Sequence, residues 1–188
     1  MYKICHTEES SQRQRVLELG LLEALQNQPY EKITLSELCR ELQIPRKTFY
    51  RYFPTKDDCL LGLIDHTLSD CNNIALSGWR GEIELDQYML MRFFAYWRNQ
   101  SAFLDAVKDN NLHYLLLDRT TIIVDRMKEK AEKSNFARDQ VEYFIAHGLM
   151  TTVMRWHYHG FPCPSEEMAA VFGRLLISPD ISILRLLL

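Results

Sequence analysis

Between Pro45 and Lys56 the chain carries Arg46, Lys47, Arg51 and Lys56 with no acidic residue among them. Thr48, Tyr50 and Tyr52 stand between these cations. Guanidinium and ammonium groups pair with phosphate oxygens, a guanidinium fork also matches the acceptor edge of guanine, and hydroxyls bond phosphates. The stretch therefore points to a polyanion. By type, Arg46 or Lys47 suits a guanine edge or a phosphate, and Thr48 a thymine methyl or a phosphate. Tyr50, Tyr52 and Lys56 suit phosphates, as do Thr34 and Ser36 at a helix N-terminus, while Arg51 suits the duplex or its rim. Pro45 opens the stretch and is counted with this DNA-facing set.

Other chemistries find no support in the residue pattern. His157 and His159 would point about 200° apart on a helix and cannot share an ion, so no metal is expected. There is no G-x-S-x-G, no glycine-rich phosphate loop and no H-E-x-x-H. No catalytic residue and no cofactor are expected, and the chain reads as something other than an enzyme. The five cysteines (Cys5, Cys39, Cys59, Cys71 and Cys163) are odd in number and scattered, as reduced thiols in a cytoplasmic protein would be. Met1 to Glu9 contain charges and lack an apolar run, so a secretory signal is not expected, nor is a membrane span.

The elements that must hold the basic stretch can be read around it. A first helix is expected from Ser10 or Ser11, with Ser11 and Gln14 fitting a capping box. Val16, Leu17, Leu21, Ala24 and Leu25 give it one buried stripe, and Gln28-Pro29 ends it. Thr34 and Glu37 form a second capping box, framed by Ile33 and Leu38 at the positions of a hydrophobic staple. The short helix they start carries Leu35, Leu38, Cys39 and Leu42 and stops at Gln43-Ile44-Pro45. Another short helix is expected from about Arg46 to Tyr52, ending at Phe53-Pro54. Thr55 then caps a longer one from Lys56 to about Cys71, with Asp57 and Asp58 in its first turn. Ile44, Phe49 and Phe53 should face inward and set the angle between the short helices. Two short helices with a tight turn, the second basic and aromatic, are the layout of a helix-turn-helix, here about 34–53.

Composition agrees with such a fold. Hydrophobic residues make up 47% and charged residues 25%, the balance of a folded chain rather than a disordered one. Only 7 Gly and 6 Pro interrupt it, which favours helices. The net charge of −3 is unevenly spread: residues 1–56 hold nine Lys/Arg against seven Asp/Glu, and the remainder thirteen against eighteen. Attraction for a polyanion is therefore local.

Residues 34–58, TLSELCRELQIPRKTFYRYFPTKDD, resemble the DNA-binding signature of the TetR/AcrR family of regulators, most specifically at Thr48 to Phe53 and Pro54 to Asp58. The resemblance is strong over about residues 11–71 and extends weakly to Trp156…Gly160-Phe161-Pro162. Two positions depart from the pattern. Gln43 stands where the family usually has Gly, and Pro45 where it has a small capping residue such as Ser. The resemblance implies an all-helical dimer on duplex DNA with a palindromic operator. It also implies a C-terminal domain that binds a small-molecule effector, and repression as the usual outcome.

On this reading residues 1–71 form the DNA-binding domain and 72–188 a helical effector-binding and dimerisation domain, with a hinge at Ser77 to Gly81. Further helices are expected near 83–99, 102–109, 112–133, 137–159 and 166–177. The first of these is apolar nearly all round and should be buried in a bundle. Gly160, Pro162 and Pro164 stop the fourth, and Ser165 caps the fifth. Val141, Ile145, Gly148, Leu149, Thr152 and Trp156, with Val171, Phe172, Leu175 and Leu176, are expected to form a homodimer interface. Tyr88, Met91, Phe94, Trp97, His113, Tyr114, Met127, Phe144 and His147 are expected to line an apolar effector pocket. The apolar tail Ile181 to Leu188 has two readings, completion of the dimer interface or an exposed apolar tail. Two other readings are a coactivator of the same fold that answers to a protein partner, and a helical small-molecule binder that has lost its DNA.

Overall fold

The computed structural model describes residues 2, 5, 7–75, 87–128 and 136–177. Its helices are α1 (Glu8–Asn27), α2 (Leu35–Glu41), α3 (Arg46–Tyr50), α4 (Lys56–Ala75) and α5 (Gln87–Arg98), followed by α6 (Ser101–Asp109), α7 (His113–Lys128), α8 (Phe136–Tyr158) and α9 (Ser165–Ile177). A 3₁₀ turn, Tyr30–Lys32, lies between α1 and α2. Among the described residues there is no strand, as the composition predicted. The expected hinge at 77–81 and the tail at 181–188 lie outside the described residues, as do 83–86 and 129–133 at the edges of two expected helices. Two compact units divide the chain: Met1–Thr67 with Asp105–Leu116, and Leu68–Leu104 with Leu117–Leu188.

In the first unit α1 starts earlier than expected. Thr7, not Ser10 or Ser11, has the extended backbone of a cap, and its hydroxyl accepts the Ser10 N–H at 3.3 Å. Glu8 and Glu9 then occupy the first turn, where the helix dipole favours them. The buried face holds Leu17, Leu21, Ala24 and Leu25, but Val16 is 54% exposed. Gln14 and Glu18 are buried instead. The Glu18 carboxylate accepts from Arg15 at 3.1 Å and lies 2.8 Å from Nδ1 of His66 on α4. A buried carboxylate persists only with such partners.

Two glycines set how closely the helices approach. A Cβ on Gly20 of α1 would lie 2.5 Å from Leu42, the residue that closes α2. A Cβ on Gly62 of α4 would lie 2.8 Å from the Phe53 ring and 3.0 Å from Oε1 of Glu18. Phe53 is fully buried and meets Phe49, which is equally buried, at 5.7 Å between ring centres with the planes tilted by 48°. The core beneath the helix-turn-helix thus contains an aromatic pair, of which Phe53 lies in a notch of α4 at Gly62.

In the second unit α5 is the central helix, packed against α8 and α9. Leu90, Phe94, Tyr96 and Trp97 are buried. Phe94 meets Trp156 of α8 edge-on at 5.8 Å and Phe172 of α9 at 5.5 Å. Arg92 donates to the last carbonyl of α4, at Ala75, at 2.8 Å. The stop after α8 is the expected one: Gly160 has φ 73°, Phe161 follows at φ 55°, and the Phe161 N–H reaches back to the Trp156 carbonyl at 2.9 Å. Ser165 is the first residue of α9 rather than its cap, and its hydroxyl bonds the Glu166 carboxylate. Among the described residues no helix is long and apolar enough to cross a membrane.

Gly62→Ala separates helix propensity from packing. Alanine favours a helix interior by about 1 kcal/mol over glycine, whereas forcing a methyl against a fully buried ring costs about 1–3 kcal/mol. Gly62→Ala is therefore expected to lower the melting temperature by circular dichroism; a rise would show that the Phe53 ring yields.

Candidate nucleic-acid interface

The first helix of the motif is fixed by its cap. Thr34 has extended backbone, its Oγ1 accepts the Glu37 N–H at 3.2 Å, and the Glu37 carboxylate accepts the Thr34 N–H at 3.2 Å. The expected capping box is complete, and Ile33 and Leu38 are both buried beside it. The Thr34 hydroxyl also donates to Glu37 at 2.6 Å. These bonds hold the Glu37 carboxyl below the usual range, the Thr34 side chain contributing most and its backbone N–H next.

The turn takes the conformation its sequence disfavours. Gln43 sits at φ 52°, the left-handed region that glycine enters freely and other residues at about 1 kcal/mol or more. The Ile44 N–H closes the turn on the Cys39 carbonyl at 2.9 Å. Pro45 stands one residue before α3 at φ −64°, ψ 142°, and caps with its backbone alone, its carbonyl accepting the Thr48 N–H at 2.8 Å. A fixed φ without an N–H suits that position.

With Phe49 held in the core, helix geometry presents the basic side chains outward. Pro45, Arg46, Lys47, Tyr50 and Arg51 are exposed and Thr48 half-buried. Ser36 and Thr34 are exposed at the start of α2. Tyr52 is a correction. It is only 3% exposed, because α3 ends at Tyr50 and the turn after it carries Tyr52 inward together with Phe53.

Lys56 also has duties inside the chain. Its ammonium donates to the carbonyls of Tyr30 and Ile33, each at 2.7 Å, and lies 4.0 Å from the centre of the Tyr30 ring. Two of its three N–H donors are committed to the 3₁₀ turn ahead of Thr34. The Tyr30 hydroxyl donates to Asp57, and burial followed by that bond pushes its pKa up. The Tyr30 N–H in turn donates to Oδ1 of Asn110 at 2.6 Å. Thr55 caps α4 as expected, accepting the Asp58 N–H at 3.0 Å. Tyr30, Asn110 and Gly62 were absent from the sequence reading. Only the position of Tyr30 after Pro29 hinted at a turn, and nothing signalled its partners.

The residues expected in the second domain fall into several environments. Phe94 and Trp97 are fully buried in aromatic packing, whereas Tyr88, Tyr114 and Phe144 are 67%, 72% and 60% exposed. Met91, His113, Met127 and His147 are half-buried, and His147 lies 3.0 Å from the Thr121 hydroxyl. A stripe of aromatics at helical spacing here splits into core and surface rather than lining one wall. The expected dimer residues split in the same way. Trp156, Leu149 and Leu176 are buried within the chain, Trp156 against Phe94 and Phe161. Val141, Ile145, Thr152 and Phe172 are half-buried, whereas Gly148, Val171 and Leu175 are exposed.

Residues 21–63 match the family model of bacterial regulatory proteins, tetR family. The chain is 21% identical over 133 residues to the HTH-type dhaKLM operon transcriptional activator DhaS of Lactococcus lactis subsp. lactis (strain IL1403), covering 69% of this chain and 68% of that protein. Among solved structures, the dihydroxyacetone kinase operon activator DhaS superposes with TM-score 0.58 at 16% identity, over 90% of this chain and 96% of that one. The TetR family repressor AlkX from Dietzia sp. strain DQ12-45-1b, implicated in biodegradation of n-alkanes, superposes with TM-score 0.54 at 13% identity, over 89% and 94%. These two likenesses establish the fold.

Two predictions concern the frame of α3. A carboxyl whose folded pKa is depressed stabilises fully above its unfolded value, and the stabilisation fades as pH falls through the folded value. Wild type should therefore lose more melting temperature than Glu37→Gln between about pH 7 and about pH 3, where carboxylates titrate. Parallel losses would remove Glu37 from the pH response. Lys56→Met should lower stability by about 2 kcal/mol in urea melts, since bonds to a charged donor are worth about 1.5–3 kcal/mol. An unchanged midpoint would leave Lys56 free for other partners.

Proposed function

We propose that the chain is a DNA-binding transcription regulator of the tetR family that works as a homodimer and places two α3 helices in the major groove of a palindromic operator. The observation that carries this reading is the exposed basic face of α3 and its C-cap, Arg46, Lys47 and Arg51, fixed by the buried Phe49 and Phe53 behind it. Phosphates are held by Tyr50, Ser36 and the remaining donor of Lys56. A dimer supplies the second head for a half-site one helical turn away or a multiple of it.

The dimer surface is the outward face of α8, where Phe144, Gly148, Thr151, Arg155 and Tyr158 recur at helical spacing, joined by Val171 and Leu175 of α9. Phe144 and Tyr158 are 60% and 71% exposed, and a Cβ on Gly148 would meet nothing within 4 Å. An open notch among exposed aromatics suits a partner helix. In this reading a small apolar or aromatic effector bound by the second domain shifts the dimer toward a head spacing that no longer fits the operator, relieving repression. A second reading is a coactivator of the same fold that answers to a protein partner; the named activity of the DhaS relative favours its activating sign.

Light scattering at micromolar concentration should give a dimer for wild type and a monomer for Gly148→Arg, with unchanged helicity. A gel shift with the DNA upstream of its own gene should show binding that Gly148→Arg weakens by at least tenfold. A monomeric wild type, or no shift with any duplex, would overturn the proposal. A reporter gene under that DNA decides its sign.

A further inference from the structure

The three cations of α3 and its C-cap, Arg46, Lys47 and Arg51, do not have equal status. Lys47 and Arg51 are exposed. Arg46 is exposed as well, yet its guanidinium donates to the Tyr50 hydroxyl at 3.1 Å and lies 5.9 Å from the centre of the Tyr50 ring. The two residues are four apart, so one turn of helix brings them face to face. Tyr50 itself is held from behind: its ring meets Phe49 edge-on at 6.1 Å and 89°, and Phe49 is fully buried. Tyr50 remains 48% exposed. A line of contacts therefore runs from the core through Phe49 to the Tyr50 ring and on to the Arg46 guanidinium.

From this line, and on the premise that α3 reads duplex DNA, we propose that Tyr50 is a positioning residue for sequence recognition. It orients the Arg46 fork toward the O6/N7 edge of one guanine in each half-site. An unrestrained arginine on a short helix has a long, flexible stem and binds any nearby phosphate as well as a base. Fixing one guanidinium N–H on Tyr50 orients the plane of the fork and leaves other N–H donors for the bidentate guanine contact. The Tyr50 hydroxyl accepts from Arg46 and keeps its own proton to donate to a backbone phosphate. Base reading and backbone anchoring then share one hydroxyl, so a misplaced phosphate also misplaces the fork.

The test is selection from a randomised duplex library by the full-length wild type, Tyr50→Phe, Arg46→Ala and the double variant, followed by affinities on the selected and scrambled duplexes. Wild type should enrich a guanine at one position of each half-site. Tyr50→Phe keeps the ring on Phe49 and should retain the fold. Its preference for that guanine over other bases should fall by roughly tenfold, the scale of one bidentate base contact. The double variant should be no less selective than Arg46→Ala, since the two residues act as one. Undiminished guanine preference in Tyr50→Phe, or losses that add in the double variant, would overturn the positioning role while leaving DNA binding intact. A wild type that enriches no motif would instead overturn the DNA-reading function, and the pair with it.

Discussion

The helix-turn-helix of the first unit depends on the burial of Phe49 and Phe53, with Phe53 seated against α4. Both rings are fully buried, they meet at a tilt of 48°, and the ring of Phe53 occupies space that a side chain at position 62 would fill. A helix of five residues is far too short to persist alone in water. It exists because Phe49 anchors its inner face and Phe53 pins the turn that follows. Once that face is fixed, the geometry of a single turn decides which side chains are outward. Arg46, Lys47, Tyr50 and Arg51 owe their exposure to two phenylalanines.

Around the pair, the frame is made of polar bonds that satisfy helix ends. Thr34 and Glu37 close the start of α2, Thr55 the start of α4, and Lys56 the end of the 3₁₀ turn between α1 and α2. Asn110 takes up the first N–H of that turn from another part of the chain. Each bond is modest, but together they satisfy backbone groups at the ends of these short segments. The left-handed Gln43 is tolerated inside this frame because the bonds on either side, from Leu42 to Leu38 and from Ile44 to Cys39, hold the turn closed.

The second unit shows how helical periodicity finds apolar faces without saying what covers them. Trp156 and Phe172 stood among expected interface residues, yet both rest on Phe94 of the same chain. The exposed face of α8 among the described residues lies on its other side, from Phe144 through Gly148 to Tyr158. Because α8 carries apolar residues nearly all round, no stripe on it could be ranked as inner or outer before its neighbours were known. The aromatic set read as a pocket divided for the same reason.

Local signals were legible in the chain itself: the caps at Thr34 and Thr55, the breaks at Pro29 and Gly160, the tight turn at Gln43 and the acid-free run from Pro45 to Lys56. Each rests on interactions within a few residues, so neighbours in sequence suffice to reveal it. Tertiary structure decided the rest. It turned Tyr52 inward, moved Val16 to the surface and gave Lys56 two carbonyl partners more than twenty residues away. It also set Tyr50 against Phe49 and Arg46. Those outcomes depend on which helix faces which, and that is fixed by long-range packing that no local pattern encodes.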